Sequence, residues 1–306
     1  MNPVRHFLDI SELGEPHLRS MLESAHDLKR RWHENDRPRP LLDMVLATIF
    51  EKPSTRTRVS FDVAMRQLGG HVINLAPGDM QLGRGESVAD TARVLSRYVD
   101  AIMIRTTDHA KMLDLANHAT VPVINGLTDR THPSQLMADV MTVEEHLGPI
   151  SERTVAWAGD GNNMACSWIH AAARFGFELR IACPPRYRPP GEVVDWALAH
   201  DASVHIVDTL DEALRDADCV VTDTWVSMSD ERARTGDIDT TALEAFRIDA
   251  RAMALARDNA IFMHCMPMYR GREVSVDVAD GPQSVVFDEA ENRLHAQKAI
   301  LEWCMT

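Results

Sequence analysis

The sequence predicts an α/β protein with two domains, each a mainly parallel sheet flanked by helices. Nine short apolar runs alternate with longer amphipathic, helix-like segments, and this alternation is typical of parallel sheets. The chain has 306 residues, of which 45% are hydrophobic, so it is long enough to form two cores. The predicted strands are residues 45–50, 72–75, 101–104, 121–124, 155–158, 179–182, 204–207, 219–221 and 260–263.

A break near the middle of the chain separates the two predicted domains. A helix-like segment over residues 133–147 is followed by Gly148 and Pro149, a pair that ends a helix. We therefore predict domains over residues 1–145 and 146–306. The final helical segment, residues 288–304, could pack back on the first domain, and the sequence leaves that point open.

Composition argues against several classes of function. A formal net charge of -14 disfavours a nucleic-acid partner, because affinity for a phosphate backbone depends on clustered cations. Residues 1–20 do not resemble a secretory signal, and the apolar runs are too short to cross a membrane. Five scattered cysteines without a Cys-x-x-Cys pair indicate reduced thiols in a cytoplasmic protein, and no zinc framework is visible.

The turn after the first predicted strand predicts an anion site. Residues 51–58 contain three cations and three hydroxyl side chains. Pro53 suits the approach to a helix, and Ser54 is a good N-cap, so the N–H groups of the first turn would point outward. Arg56 in that turn should cost about 0.3 to 1 kcal/mol unless an anion offsets it. A solvated basic turn is the ordinary alternative.

Two further segments carry polar residues near predicted helix starts. His132 and Gln135 can donate to an oxygen-rich ligand, although capping or packing is the commoner role of such residues. The loop 159–161 invites a dinucleotide-binding interpretation, but Met164 stands where the third glycine is needed, which disfavours nicotinamide and flavin. Asn163 therefore either faces a small polar ligand or caps the helix.

Strand-exit loops supply the remaining candidates. Arg105 follows the third predicted strand, and Asp223 and Cys265 follow the last two. An aspartate near a thiol can position and desolvate an amine, while Met228 and Met266 would supply an apolar wall. The alternatives are a capping carboxylate and an inert buried thiol.

Five segments, in chain order, resemble the signatures of ornithine carbamoyltransferases in the aspartate/ornithine carbamoyltransferase family. They are Ser54-Thr55-Arg56-Thr57-Arg58, His132-Pro133-Ser134-Gln135, Asp223-Thr224-Trp225-Val226-Ser227-Met228, His264-Cys265-Met266-Pro267 and Glu291-Asn292-Arg293. The first two are shared with aspartate carbamoyltransferases and point to carbamoyl phosphate, whereas the Ser-Met and His-Cys loops favour ornithine. The sequence departs from the family pattern at Ser229, where glycine is usual, and at Met266, where leucine is commoner.

The resemblance implies transfer of a carbamoyl group from carbamoyl phosphate to the side-chain amine of L-ornithine, giving L-citrulline and phosphate. It implies a homotrimer and requires neither a metal nor an organic cofactor. The implied catalytic residues are Arg105, His132, Asp223 and Cys265. The implied carbamoyl-phosphate-binding residues are Ser54, Thr55, Arg56, Thr57, Gln81, Arg105, His132, Gln135, Cys265, Met266 and Arg293. The implied ornithine-binding residues are Asn163, Asp223, Ser227 and Met228.

Two alternatives remain open at this stage. One is a carbamoyltransferase for another amine, such as putrescine or an acylated ornithine. The other is a non-catalytic homologue that binds carbamoyl phosphate or an amino acid. The sequence also leaves open whether Asp223 or Cys265 accepts the proton of the amine.

Overall fold

The computed structural model describes residues 4–76, 85–226 and 240–306, and the chain divides into two compact units. The first unit contains the chain up to Met137 together with Arg293–Thr306, and the second unit is Ala138–Asn292. Each unit contains a parallel sheet flanked by helices, which confirms the predicted fold class. The predicted domain limits at 145 and 146 stay a prediction.

All nine predicted strands are present. In chain order, the strands are β1 (Val45–Phe50), β2 (His71–Leu75), β3 (Ala101–Arg105), β4 (Val123–Leu127), β5 (Thr154–Ala158), β6 (Glu178–Ala182), β7 (Val204–Val207), β8 (Cys219–Thr222) and β9 (Ile261–Met263). The described helices are α1 (Glu15–His33), α2 (Thr55–Gln67), α3 (Val88–Leu95), α4 (His109–His118), α5 (Pro133–Leu147), α6 (Asn163–Phe175), α7 (Gly191–Leu198), α8 (Leu210–Leu214), α9 (Ala250–Met253), α10 (Val276–Ala279) and α11 (Val286–Met305). None of these helices combines the length and the apolar character that a membrane span needs.

The sheet of the first unit has the strand order β2-β1-β3-β4. At the end of the central pair, Phe50 of β1 lies opposite Arg105 of β3. Because all four strands are parallel, the loops that follow β1, β3 and β4 leave the sheet at the same edge. This edge therefore receives the start of α2, Arg105 and the start of α5.

Strand β4 differs most from its prediction, since it begins and ends later than residues 121–124. Asn125 and Gly126 are typical turn residues, which is why the sequence pattern ended the strand early. In the structure Asn125 is fully buried, and its Nδ2 donates to the carbonyl of Leu8 at 2.9 Å. At Gly126 an added Cβ would lie 2.4 Å from Met103 Sδ and 3.2 Å from the carbonyl oxygen of Ile104, so any larger residue would have to displace the Met103 side chain.

The sheet of the second unit has the strand order β7-β6-β5-β8-β9, again with every pair parallel. Alanines 156 and 158 of β5 and Phe262 of β9 lie in its apolar core. The loops after β5, β8 and β9 leave at one edge. They carry Asn162, Asp223 and Cys265.

A buried cation lies in α11, within the part of the chain that belongs to the first unit. Lys298 is 2% exposed, and its Nζ lies 4.8 Å from the centroid of the Trp32 ring. Burial, and then the charge of Arg37, lower the pKa of Lys298 to about 8. Among the described residues, no carboxylate forms an ion pair with this ammonium group. The charged form of Lys298 therefore destabilises the folded chain.

We expect Lys298→Met to raise the free energy of unfolding at pH 7 by about 2 kcal/mol, because methionine keeps the apolar stem and removes the charge. Between pH 8 and about 10.4 the unfolded chain holds a proton that folded Lys298 has lost. The free energy of unfolding of the wild type therefore rises with pH through that range. Below it, the full cost of burying the charged Lys298 is present. Urea unfolding of both proteins at pH 7 and pH 10 checks this: the difference should shrink at pH 10, and a less stable variant at pH 7 would contradict it.

Candidate functional site

In the first unit, two guanidinium groups converge on the hydroxyl of Thr57. This residue lies in the first turn of α2 and is 1% exposed. Arg105 Nη1 donates to Thr57 Oγ1 at 3.1 Å, and Arg293 Nη2 donates to the same oxygen at 2.9 Å. Arg293 Nη1 also donates to Gln135 Oε1. A hydroxyl that accepts two hydrogen bonds keeps its own hydrogen for an acceptor, and an anionic oxygen is the strongest kind.

The helix start beside Thr57 has the geometry of an anion site. Ser54 is the N-cap predicted from sequence, with extended backbone, and its Oγ accepts from the N–H of Thr57 at 3.3 Å. The remaining N–H groups of a first helical turn have no partner inside the helix, and they carry positive partial charge. Thr55 is exposed and Arg56 half-buried at this end, whereas Arg58 lies against the ring of Phe50. The turn thus offers donors and positive charge together.

His132 lies at the start of α5 and is 4% exposed. Burial, and then the positive charges of Arg293, Arg105 and Arg56, lower the pKa of His132 well below its usual value. The imidazole is therefore neutral at physiological pH. A neutral ring still donates one hydrogen bond, and it does so without adding a fourth positive charge.

We expect His132 to stay neutral as pH falls through the usual histidine range, because protonation would place a cation beside three guanidinium groups. Below about pH 6.5 the unfolded chain binds a proton that folded His132 does not, so this residue lowers stability as pH falls. Two-dimensional NMR of the histidine ring nitrogens tests this. The His132 signal is identified as the one that is absent from the spectrum of His132→Gln, and in the wild type it should not titrate in this range. A midpoint at or above pH 6.5 for that signal would contradict this expectation.

Glu51, just after β1, is bonded to two residues that the sequence interpretation missed, Thr106 and Lys111. Glu51 contacts Lys111 Nζ at 2.8 Å and accepts from Thr106 Oγ1 at 2.6 Å. The N–H of Glu51 donates to the carbonyl of Arg105 at 2.9 Å. Thr106 directly follows the strand-exit arginine, so its position was a usable signal. Lys111 gave none, because it reaches Glu51 from α4.

In the second unit, the carboxylate of Asp223 is held by three donors. Asn162 Nδ2 donates to Oδ2 at 2.8 Å, and the N–H of Thr224 donates to Oδ1 at 2.7 Å. Cys265 Sγ donates to the same Oδ1 at 3.3 Å. Burial, and then the negative charge of Asp223, raise the pKa of Cys265 well above its usual value. The thiol is therefore protonated and acts as a hydrogen-bond donor, not as a thiolate nucleophile.

Asn162, and not Asn163, caps α6. Asn162 Oδ1 accepts from the N–H groups of Met164 and Ala165 at 2.9 and 3.3 Å. Asn163 is the first residue of the helix and is half-buried, so the capping alternative for its side chain is wrong. The sequence interpretation missed Asn162, although a pair of asparagines at a helix start was a visible signal. Because one end of Asn162 is fixed by the helix, its amide holds Asp223 in place.

The glycines of the loop after β5 serve the chain's own packing. The N–H of Gly161 donates to the carbonyl of Tyr187 at 2.7 Å. A Cβ at this position would lie 2.4 Å from the backbone nitrogen of Pro189. The space that a dinucleotide pyrophosphate would need beside the second glycine is thus filled by the segment before α7. This agrees with the argument from Met164 against dinucleotide binding.

His264 extends the polar cluster beneath Cys265. Its Nδ1 accepts from the N–H of Met266 at 2.9 Å, so the proton of the neutral ring lies on Nε2, which is 3.5 Å from Glu273 Oε1. Asp223, His264 and Cys265 each place one ligand atom within 4.8 Å of the others. A cation could use all three only after loss of the thiol proton and of existing hydrogen bonds. As arranged, the cluster fits a hydrogen-bonding ligand such as an amine better than a metal ion.

Several predicted site residues lie outside the described part of the chain. They are Gln81, Ser227 and Met228, together with the departure at Ser229. The predicted roles of Cys265 and Met266 in binding carbamoyl phosphate stay predictions. Within the first unit the structure brings together Thr57, Arg105, Gln135 and Arg293 by hydrogen bonds, and within the second unit Asp223 and Cys265.

One unit carries a cationic cradle, formed by the start of α2 with Arg105 and Arg293, and the other carries a carboxylate–thiol cluster of Asp223 and Cys265, which together fit a group-transfer enzyme. Residues 5–145 match the family model described as "Aspartate/ornithine carbamoyltransferase, carbamoyl-P binding domain". Residues 151–304 match the model described as "Aspartate/ornithine carbamoyltransferase, Asp/Orn binding domain". The chain therefore belongs to the aspartate/ornithine carbamoyltransferase family.

Full-length relatives agree with this assignment. An ornithine carbamoyltransferase of Mesorhizobium japonicum is 57% identical over 302 residues, which are 99% of this chain and 99% of the relative. The solved structure of ornithine carbamoyltransferase from Pyrococcus furiosus is 44% identical, with a TM-score of 0.94 and coverage of 99% of this chain and 97% of the other. That of the Burkholderia thailandensis enzyme is also 44% identical, with a TM-score of 0.91 and 99% coverage of both chains.

Proposed function

We propose that this protein is an ornithine carbamoyltransferase, which transfers the carbamoyl group of carbamoyl phosphate to the side-chain amine of L-ornithine to give L-citrulline and phosphate. The observation that carries the proposal is the convergence of Arg105 and Arg293 on Thr57 at a helix start, beside a neutral His132. Full-length similarity to relatives named ornithine carbamoyltransferase supports it.

In this proposal the phosphate of carbamoyl phosphate binds at the start of α2, to Ser54, Thr55, Arg56 and Thr57. The dianionic phosphate would accept from N–H groups at the start of α2 and from the Thr57 hydroxyl. The bound phosphate would then offset the cost of placing a cation at a helix start, which a solvated turn would not do. Arg56 stabilises the departing phosphate as its negative charge increases.

Arg105, His132 and Gln135 are proposed to bind the carbamoyl carbonyl. Attack by the amine turns this carbonyl into a tetrahedral centre whose oxygen becomes negative. Donors that are already in place stabilise that oxygen without reorganisation. Because His132 is neutral, it acts by donating a hydrogen bond, and Arg105 supplies the charge.

The amine must lose a proton before it can attack. An alkyl ammonium with a pKa near 10.4 costs roughly 4 to 5 kcal/mol to deprotonate at neutral pH. The thiol of Cys265 already holds its proton, because burial and Asp223 raise its pKa. We therefore propose that Asp223 accepts or relays the amine proton, and that Cys265 with Met266 adjoins the reacting amine. Asn163 with Asp223, and also Ser227 and Met228, would hold the amino-acid part.

The assembly and the location are also proposals. A homotrimer in the cytoplasm follows from the resemblance of the chain to its family. All five cysteines are free thiols, which fits a reducing compartment. Size-exclusion chromatography with light scattering tests the trimer directly.

The reaction is tested by incubating purified protein with carbamoyl phosphate and one amine at a time. L-Ornithine, L-aspartate, putrescine and N-acetylornithine form the series, and each product is measured by mass spectrometry. We expect a carbamoylated product with ornithine alone. Turnover of putrescine or acetylornithine instead would favour the related transferase. Absence of turnover with every amine, while carbamoyl phosphate still binds by calorimetry, would favour the non-catalytic homologue.

A further inference from the structure

Lys298 is a nucleophile that the proposed reaction does not use. It lies in α11 with only 2% of its surface exposed, and its Nζ lies over the face of Trp32 from α1. A buried lysine normally has a carboxylate partner. Among the described residues this one has no ion pair, and its ammonium group instead makes a cation–π contact with the Trp32 ring.

A second cation, Arg37, contacts the same Trp32 ring as Lys298. The guanidinium carbon of Arg37 lies 3.5 Å from the centroid of the same Trp32 ring. Arg37 is held there by hydrogen bonds to the carbonyl of Trp32 and to Asn35 Oδ1, the latter at 3.0 Å. Two cations on one aromatic side chain repel each other, and burial adds to the cost of the ammonium form.

These conditions favour the free amine of Lys298. With the pKa of Lys298 at about 8, about one fifth of the side chain is unprotonated at pH 7.4. An exposed lysine with a pKa near 10.4 is unprotonated in only about one molecule per thousand at that pH. Lower basicity removes part of this advantage, because a weaker base is a weaker nucleophile. A clear excess in reactivity remains.

We propose that Lys298 is a carbamoylation site for isocyanic acid, a small uncharged electrophile that can reach a buried amine. The unprotonated Nζ attacks the carbon of H–N=C=O and forms a new N–C bond, while the C=N π bond breaks. One proton passes from Nζ to the nitrogen of the reagent. No group leaves, nothing is oxidised, and the product is an uncharged urea. Modification thus removes the buried charge and its repulsion with Arg37.

A source of the reagent rests on the proposed function, because carbamoyl phosphate releases cyanate as it decomposes in water. The site itself does not depend on that function. It is tested with potassium cyanate alone, so failure of the site and failure of the transferase activity are separate results.

The chain offers a sharp experiment, because it contains only four lysines, at positions 29, 52, 111 and 298. Folded protein is treated with potassium cyanate at pH 7.5, and the rate at each lysine is measured by peptide mass spectrometry. We expect Lys298 to react about tenfold faster than Lys29 and Lys52. At a fixed total concentration of cyanate the rate at Lys298 should fall above pH 8, because the amine is then already unprotonated while the fraction of cyanate present as isocyanic acid continues to decrease.

Arg37→Gln is the matched variant, because it removes the second cation and leaves Lys298 in place. It should slow the reaction at Lys298 severalfold at pH 7.5 and have little effect at Lys52. In Lys298→Arg the fast site should be absent. The proposal is overturned if Lys298 reacts no faster than Lys52 in the folded protein, or if its rate at fixed total cyanate does not fall above pH 8. Circular dichroism confirms that each variant is folded.

Discussion

Asp223→Asn should lower kcat/KM for ornithine by about 10³-fold, the range that loss of a positioned proton acceptor gives. Asparagine has the shape of aspartate but neither its charge nor its ability to accept a proton from the amine. In the wild type the Nδ2 group of Asn162 and the thiol of Cys265 both donate to the Asp223 carboxylate. In the variant these two donors face an amide instead. The measurement is steady-state kinetics with ornithine varied at saturating carbamoyl phosphate.

Asn162→Ala is the matched control for the same contact. It keeps the Asp223 charge but removes one of its three donors, along with the cap of α6. We expect a loss of about tenfold in kcat/KM, together with about 1 kcal/mol of stability from the lost cap. Binding of carbamoyl phosphate should be unchanged in Asp223→Asn, because the proposed residues for that ligand in the first unit are intact. A variant Asp223→Asn within tenfold of wild type would show that Asp223 is not the proton acceptor.

The rule that polar residues follow parallel strands predicted where several polar side chains of the candidate site lie, and its physical basis explains why. In a parallel sheet all carboxyl ends lie at one edge, so a polar residue just after an apolar run is placed by topology alone. The positions of Arg105 and Asp223 at strand exits were predicted in this way, and Ser54 was predicted as an N-cap from the rules for helix starts. These features depend on residues that are close together in the chain.

Contacts between distant residues could not be predicted from spacing. Arg293 and Thr57 are 236 positions apart, and only the fold shows that one hydroxyl accepts from two guanidinium groups. Asn162 was missed because spacing alone does not show which of two adjacent asparagines caps the helix. Lys298 was missed for a different reason, since a lysine on a helix is usually solvated and its burial depends on the packing of α11 against α1.

Arg293→Met should lower kcat/KM for carbamoyl phosphate by about 10²-fold. Arg293 is 4% exposed, and its two nitrogens reach Thr57 and Gln135, so it joins the anion cradle to the start of α5. Methionine fills the volume but removes the donor to Gln135 Oε1 and leaves Thr57 Oγ1 with the hydrogen bond from Arg105 alone of the two guanidinium groups. Arg293→Lys should lose nearly as much, because a single ammonium cannot reproduce a planar fork with two fixed donors.

The same variant has a second readout that a loss of packing alone would not give. After burial, the positive charge of Arg293 makes the largest contribution to the lowered pKa of His132. Its removal should therefore move the NMR titration of His132 upward, toward the usual histidine range, while Arg293→Lys should move it much less. Arg30→Met is the control, since Arg30 is an exposed arginine of α1 paired with Asp27 and Glu34, and both kinetics and titration should stay as in wild type. If Arg293→Met leaves the His132 signal unchanged and binds carbamoyl phosphate normally, then Arg293 only packs the end of α11, and the proposed cradle consists of α2 and Arg105 alone.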